Sequence, residues 1–269
     1  KKFGKIRAMS FDLDVIEREN KLLLKQLSKD EIVKLPQIAA LESYDSGTLV
    51  IWTKFDKIEG LARNFEDSFR AVVAESKKHV ELVFHRFYNK IAIYYNERRI
   101  ERRDPFLLGS VGRQQTGRTS KINIDGSDIT VTPYTLPFAN TLTSDEKQLL
   151  GNPKSIYDEQ GFYLYRNERL IVWGTWFGRH RDELTKYARI RVDIPNTLDD
   201  IWGIDIKKQS AKIPAVIKNR LTRAIDEAMD IAVKAQTYRG RIAKVDEDID
   251  YIWDRIKGRG DQYSYKINR

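Results

Sequence analysis

An α+β fold, mainly β-hairpins with a few helices, is predicted by three features of the sequence. Residues 122–137 (INIDGSDITVTPYTLP) and 161–178 (GFYLYRNERLIVWGTWFG) each set two β-branched and aromatic runs around a turn signal. Residues 61–88 place Phe65, Phe69, Val72, Val73, Val80 and Val83 at near-helical spacing. Residues 215–236, opened by Pro214, put Ile217, Leu221, Ile225, Ala228 and Ala232 on one helical stripe.

Taken in order, strand signals come first. IRAMSFDLDVI (6–16) alternates in part, and GTLVIWTKF (47–55) follows the turn signal Asp45-Ser46-Gly47. The charged stretch between them, 17–35, clusters Leu22, Leu23, Leu24 and Leu27 and reads as a short helix or an edge excursion. Within 61–88 the spacing slips around Ser76 to His79, so one helix or two satisfy it. KIAIYYNERRIE (90–101) reads as a hairpin turning near Asn96-Glu97 and closed by Asp104-Pro105. Residues 109–120 read as a flexible basic loop and 138–158 as polar and irregular. The hairpin at 122–137 turns at Asp125-Gly126, and the one at 161–178 at Arg166-Asn167-Glu168. YARIRVDIP (187–195) alternates, with Ile190, Val192 and Ile194 on one face. LDDIWGIDI (198–206) follows, and beyond the long helix come a short helix at 245–257 and a strand in DQYSYKINR. No internal repeat or low-complexity linker is evident, and the internal boundary falls near 56–62.

Composition narrows the function classes. The 269 residues are 41% apolar and 32% charged, which suits a globular chain with a real core. There is no cysteine, so disulfides, thiolate metal sites and a cysteine nucleophile are excluded. Only three histidines occur, His79, His85 and His180, and His79 and His85 stand at a spacing that suits no standard metal pair. No apolar run approaches the roughly 20 residues that span a bilayer. The first residues lack the apolar stretch of a signal peptide, and without an initiator methionine the chain reads as a fragment or a processed product. The net charge is 48 − 39 = +9, concentrated at 97–121 (seven cations, three acids) and 207–269 (fifteen cations, nine acids). Such a surplus favours a polyanion through counterion release.

No self-sufficient active site is present. Residues 112–119 (GRQQTGRT) approach the phosphate loop G-x-x-x-x-G-K-[ST], but Arg118 stands at the lysine position and no strand-to-helix context surrounds it. Asp12 and Asp14 place two carboxylates on one strand, but without a third group they make no acid/base couple. No G-x-S-x-G elbow occurs. No catalytic residue and no metal ligand is assigned within the chain.

GFYLYRNERLIVWGTWFG followed by YARIRVDIPNTLDDIWGIDIKKQSAKIP resembles the second, or transducer, domain of GHKL ATPases. That superfamily includes gyrase B, the ninety-kilodalton heat-shock chaperones, MutL and the MORC proteins, and the prokaryotic MORC-like branch is closest. HVELVFHRFYNKIAIYYNERRIERRDPF (79–106) resembles the earlier helix and hairpin of that domain, and GTLVIWTKFDKIE (47–59) the exit strand of the preceding ATPase domain. The resemblance implies a mixed sheet with helices on one face in a transducer-like βαβ domain at 59–236. It also implies strands left from a truncated ATP-binding domain at 1–58 and a truncated helical and strand extension at 237–269.

The nucleotide pocket of the family needs E-x-x-x-N and D-x-G-x-G. No glutamate here has an asparagine four residues on, and neither Asp45-Ser46-Gly47 nor Asp125-Gly126 extends to the second motif. The resemblance therefore implies a C-terminal part that hydrolyses no ATP alone, with ATP and Mg2+ bound by the intact parent. In the family a transducer lysine reaches the γ-phosphate, and a mobile ammonium suits a terminal phosphate. The matching positions are Lys208, then Lys207, then Lys212. Arg166 and Arg169 at the hairpin tip are the candidates for bracing the missing ATPase domain. Arg98, Arg99, Arg102, Arg103, Arg179 and Arg181 are the candidates for touching nucleic acid, whereas Trp173, Trp176 and Phe177 read as core or interface packing. The setting implied is a cytoplasmic homodimer acting on DNA, with no membrane partner, in restriction or phage defence. The alternative is a stand-alone basic nucleic-acid-binding module without ATP dependence.

Overall fold

The computed structural model describes residues 1–55, 58, 64–110, 115–137, 141–151, 153–198, 221, 225–227, 229–234, 253–257 and 263–267. The chain forms two compact units, Lys1–Ala71 and Val72–Arg269.

In the first unit the expected strand at 6–16 shrinks to β1 (Met9–Ser10), antiparallel to β2 (Lys25–Gln26). Asp12 ends it: its carboxylate accepts from the Asp14 amide at 3.1 Å and caps α1 (Leu13–Glu19). Asn20 closes that helix in the left-handed region. Then come α2 (Lys29–Val33), under a Ser28–Glu31 capping box, and α3 (Ile38–Glu42). The run 47–55 joins no strand, contrary to the expectation of an exit strand, because no described strand pairs with it. Among the described residues of this unit only Ser68 is buried, while Phe3, Leu13, Leu22 and Trp52 are exposed. The rings of Phe55, Phe65 and Phe69 cluster at 5.9–6.5 Å.

The division between the units falls inside α4 (Phe65–Val83). It is one uninterrupted helix, so the slip at Ser76 to His79 does not break it. Asn64 opens it by accepting from the Asp67 amide at 2.8 Å. The second unit continues with a 3₁₀ turn, His85–Phe87, and the short hairpin of β3 (Tyr94–Tyr95) and β4 (Arg98–Arg99).

Its main feature is a six-stranded mixed sheet. β5 (Gln115–Thr116) and β6 (Ser120–Ile124) both pair with β7 (Ser127–Thr135). Two helices follow, α5 (Ser144–Leu150) and α6 (Pro153–Asp158), where an irregular stretch was expected. The Thr143–Glu146 capping box starts the first of them. Then come β8 (Gly161–Arg166), β9 (Arg169–Thr175) and β10 (Ala188–Ile194). β10 lies between β7, to which it is antiparallel, and β8, to which it is parallel. The parallel pair is joined through β9 and a 3₁₀ turn, Glu183–Thr185, rather than through the α-helix of a βαβ unit. Gly161 opens β8 at φ +110°, where a Cβ would meet the Thr175 carbonyl oxygen at 2.5 Å.

Three hairpins share one turn geometry. Asn96-Glu97, Asp125-Gly126 and Asn167-Glu168 all have two successive positive φ angles, the signature of type I′ turns that match strand twist.

Both faces of the sheet are covered, which corrects the expectation of helices on one face. Ile129, Val131, Phe162, Leu164, Ile190, Val192 and Ile194 meet helical Leu221, Ile225 and Ala232 on one side. Tyr134, Tyr163, Tyr165 and Leu170 meet Leu82 of α4 and Phe106 on the other. The physical reason lies in β8, whose first five residues are all buried, so neither of its faces is left to solvent. A smaller cluster of Leu107, Leu136, Leu142, Leu150, Ile156 and Tyr187 seats α5 and α6. At 245–257 the described residues form β11 (Trp253–Lys257), not a helix, because β12 (Tyr263–Ile267) supplies an antiparallel partner. No helix among the described residues is long and apolar enough to cross a membrane.

Candidate functional site

Strand alternation builds the site. Ile190, Val192 and Ile194 point one way from β10, and Arg189, Arg191 and Asp193 point the other. Because β10 is a central strand under a covered face, Arg189 is fully buried and Arg191 and Asp193 are only partly exposed. Charges there need partners. Arg189 is 0% exposed and donates to the carbonyls of Lys186 at 2.9 Å, Ala188 at 3.1 Å and Ile156 at 3.1 Å. Its guanidinium stands 5.8 Å from the Tyr163 ring centre. Asp193 accepts from Arg86 and lies 3.1 Å from Arg191 Nε. That Nε is buried and makes no hydrogen bond, and the Arg191 guanidinium sits 5.3 Å over the Tyr134 ring.

Against this charged row opens a cleft of about 190 Å³, lined by His85, Arg86, Arg102, Phe106, Leu108 and Arg191. Four segments of the second unit supply it. His85 and Arg86 come from the 3₁₀ turn after α4, Arg102 from the segment after β4, and Arg191 from β10. Phe106 and Leu108 come from a turn organised by Asp104, whose carboxylate accepts from their amides at 3.0 and 3.2 Å. Asp104-Pro105 thus ends the hairpin region as the sequence indicates, and it also shapes one wall.

Electrostatics divide the lining into fixed and available charge. Burial lowers the His85 pKa below its ordinary 6.5, so the ring is neutral at pH 7. Its Nδ1 bonds the Leu82 carbonyl at 2.7 Å, which assigns the proton to Nδ1 and leaves Nε2 to accept from Tyr165 Oη at 3.4 Å. Burial also pushes the Tyr165 phenol well up, so it stays a donor. Arg102 is 3.4 Å from Asp104. Glu168 accepts from Lys90 and is 3.8 Å from Arg86. With Glu168 balanced by Lys90, three guanidiniums face two carboxylates, Asp104 and Asp193. Such a positive balance favours an anion over a cation. His85, the one imidazole in the cleft lining, already serves two hydrogen bonds.

Lys207, Lys208 and Lys212 lie outside the described residues. Arg166 and Arg169 face each other across the β8–β9 tip, and the Arg169 guanidinium is 5.4 Å from the Phe84 ring centre. Of the six arginines expected to touch nucleic acid, Arg98 is exposed on β4 and Arg102 lines the cleft. Arg99 stacks 4.2 Å over Tyr88, and Arg103 pairs with Glu159 at 2.7 Å. Arg179 lies 3.5 Å from Asp226, and Arg181 donates to the Gly174 carbonyl at 2.8 Å. Four of the six therefore hold local structure, and the cleft takes only one. Trp176 is buried, with its indole N–H donating to Gln160 Oε1 at 3.0 Å.

His85, Arg86 and Arg191 were missed as site residues. The readable signal was the apolar character of both faces of β8, which requires that charged residues on its sheet neighbours be covered and paired. Among the described residues, no group of three or more His, Cys, Asp or Glu side chains is gathered to hold a metal ion. Set against protein-family models, curated proteins and solved structures, the chain matches none.

Proposed function

We propose that the chain is the coupling part of a MORC-like GHKL ATPase. It would relay ATP binding and hydrolysis in a preceding domain to a DNA- or partner-binding surface, in a cytoplasmic homodimer of the restriction or phage-defence kind. The observation that best supports this reading is the run 161–198: a hairpin, then a central strand returning parallel beside it, then a 3₁₀ turn at Asn196–Leu198 shortly before the lysine-bearing segment. A central strand held on both edges and both faces passes on displacement of the loop that follows it instead of absorbing it.

ATP and Mg2+ would be held by the preceding domain, because this chain carries neither E-x-x-x-N nor D-x-G-x-G. The contribution of its own residues would be one cation, Lys208 or else Lys207 or Lys212, whose mobile ammonium matches a terminal phosphate. Hinge-like release would follow once that phosphate is gone.

DNA binding by the intact parent, measured with and without a non-hydrolysable ATP analogue, tests this reading. Coupling predicts affinities that differ by about tenfold, within the usual range for linked sites. Tight, steeply salt-dependent binding by residues 1–269 alone, indifferent to nucleotide and weakened at Arg98, Arg99, Arg102 and Arg103, would establish the stand-alone module instead.

A further inference from the structure

We propose that the arginine-lined cleft of the second unit is a binding site for a small phosphomonoester. Arg86, Arg102 and Arg191 would hold its phosphate, and Phe106 and Leu108 would receive a short organic group. The inference rests on the cleft alone and stands whether or not the chain couples to an ATPase.

Three observations carry it. First, three arginines from separate segments line the one cleft: Arg86 from the turn after α4, Arg102 from the stretch after β4 and Arg191 from the central strand β10. Three guanidiniums around one cleft suit the several terminal oxygens of a phosphate better than the two of a carboxylate. Second, each guanidinium has a carboxylate neighbour, but the three share Asp104 and Asp193 while Glu168 is divided between Arg86 and Lys90, which leaves the cleft a positive balance.

Third, size and lining limit the ligand. A cleft of about 190 Å³ admits a phosphate and a small group attached to it. Phe106 is 1% exposed and fixed in the aromatic cluster, so its wall is rigid, whereas Leu108 is 47% exposed and stands at the rim. The Asp104 carboxylate pins the turn carrying both through its two amide bonds. His85 is a neutral wall held by Leu82 and Tyr165, so it orients the turn bearing Arg86 without adding charge.

Calorimetric titration of the whole chain with inorganic phosphate, phenyl phosphate and acetate tests the proposal. Saturable binding is expected, tighter for phenyl phosphate than for inorganic phosphate, with acetate weakest. Arg102→Gln and Arg191→Gln should each weaken phenyl phosphate binding about tenfold or more, the usual loss for one charge-assisted hydrogen bond, while Arg98→Gln leaves it unchanged. Because Arg191 also packs on Tyr134, Leu108→Glu serves as a second variant that places a carboxylate at the exposed rim without touching the sheet; it should abolish binding. Absence of saturable binding, acetate binding as tightly as phosphate, or full affinity retained in Arg102→Gln and Leu108→Glu would overturn the assignment.

Discussion

At the scale of single residues, the buried amide of Gln160 shows how matched partners let a polar group sit inside the second unit. Gln160 is 0% exposed, and its carbonyl oxygen accepts from Trp176 Nε1 at 3.0 Å and Thr185 Oγ1 at 2.9 Å, while its amide donates to the Tyr157 carbonyl at 2.9 Å. Gln160→Leu removes the buried Trp176 N–H's acceptor and one partner each of the Thr185 hydroxyl, which keeps the Asp182 carbonyl at 3.2 Å, and the Tyr157 carbonyl, so denaturant unfolding should show a loss of about 2–4 kcal/mol. A loss under about 1 kcal/mol would mean that these groups find other partners. His85 gives a pH signature. Burial holds its folded pKa below 6.5, so near pH 6 the folded state binds fewer protons than the unfolded chain. Its contribution is therefore complete above about 6.5 and declines as pH falls toward the folded pKa. The unfolding midpoint should drop between pH 7.5 and 5.5, and His85→Asn, whose amide can still reach the Leu82 carbonyl, should flatten that part of the slope. The same slope in both proteins would contradict the buried neutral ring. The Glu31 pKa shifts downward although the side chain lies at the surface. Hydrogen bonds from Lys25 and Ser28 hold it at about 2, so NMR titration of its carboxyl should place the midpoint near there. A midpoint near 4.5 would mean that the α2 capping box does not persist in solution.

At the scale of elements, turn chemistry was the most legible part of the sequence. Asn96-Glu97, Asp125-Gly126 and Asn167-Glu168 were each visible as turn signals, and all three are type I′ turns. Glu97 takes φ +65° where glycine is preferred, so Glu97→Gly should stabilise the β3–β4 hairpin by a few tenths to about 1 kcal/mol in denaturant melts. A clear destabilisation would contradict the turn assignment. The same change at Glu168 should not stabilise, because that side chain accepts from Lys90 and stands beside Arg86. What the sequence left hidden has physical causes. Residues 144–150 read as irregular by apolar spacing, although Thr143-x-x-Glu146 already spelled the capping box that starts α5. The run 47–55 had strand composition but no partner, and composition alone cannot supply one. Trp253–Lys257 read as helical until its pairing with Tyr263–Ile267 decided the matter. On β10 the alternation was plain, but which partners cover Arg189, Arg191 and Asp193 depends on long-range contacts that no local pattern records.

At the scale of the whole molecule, the two units differ in how much they bury. The described part of Lys1–Ala71 has Ser68 as its single buried residue, whereas Val72–Arg269 encloses a sheet on both faces. Amides of β7, β8 and β10 should therefore exchange hydrogen only through global opening, and those of residues 1–55 far faster. Equal protection in both would show that the first unit has a core of its own. The coupling account itself depends on a lysine of the 207–212 segment acting on nucleotide. Steady-state ATP hydrolysis by the intact parent, measured for Lys208→Ala, Lys207→Ala and Lys212→Ala after circular dichroism has established that each is folded, addresses it directly. The account predicts a fall in kcat of about tenfold or more for one of the three, Lys208 first, comparable to other lost charge-assisted contacts. Wild-type turnover in all three would contradict it.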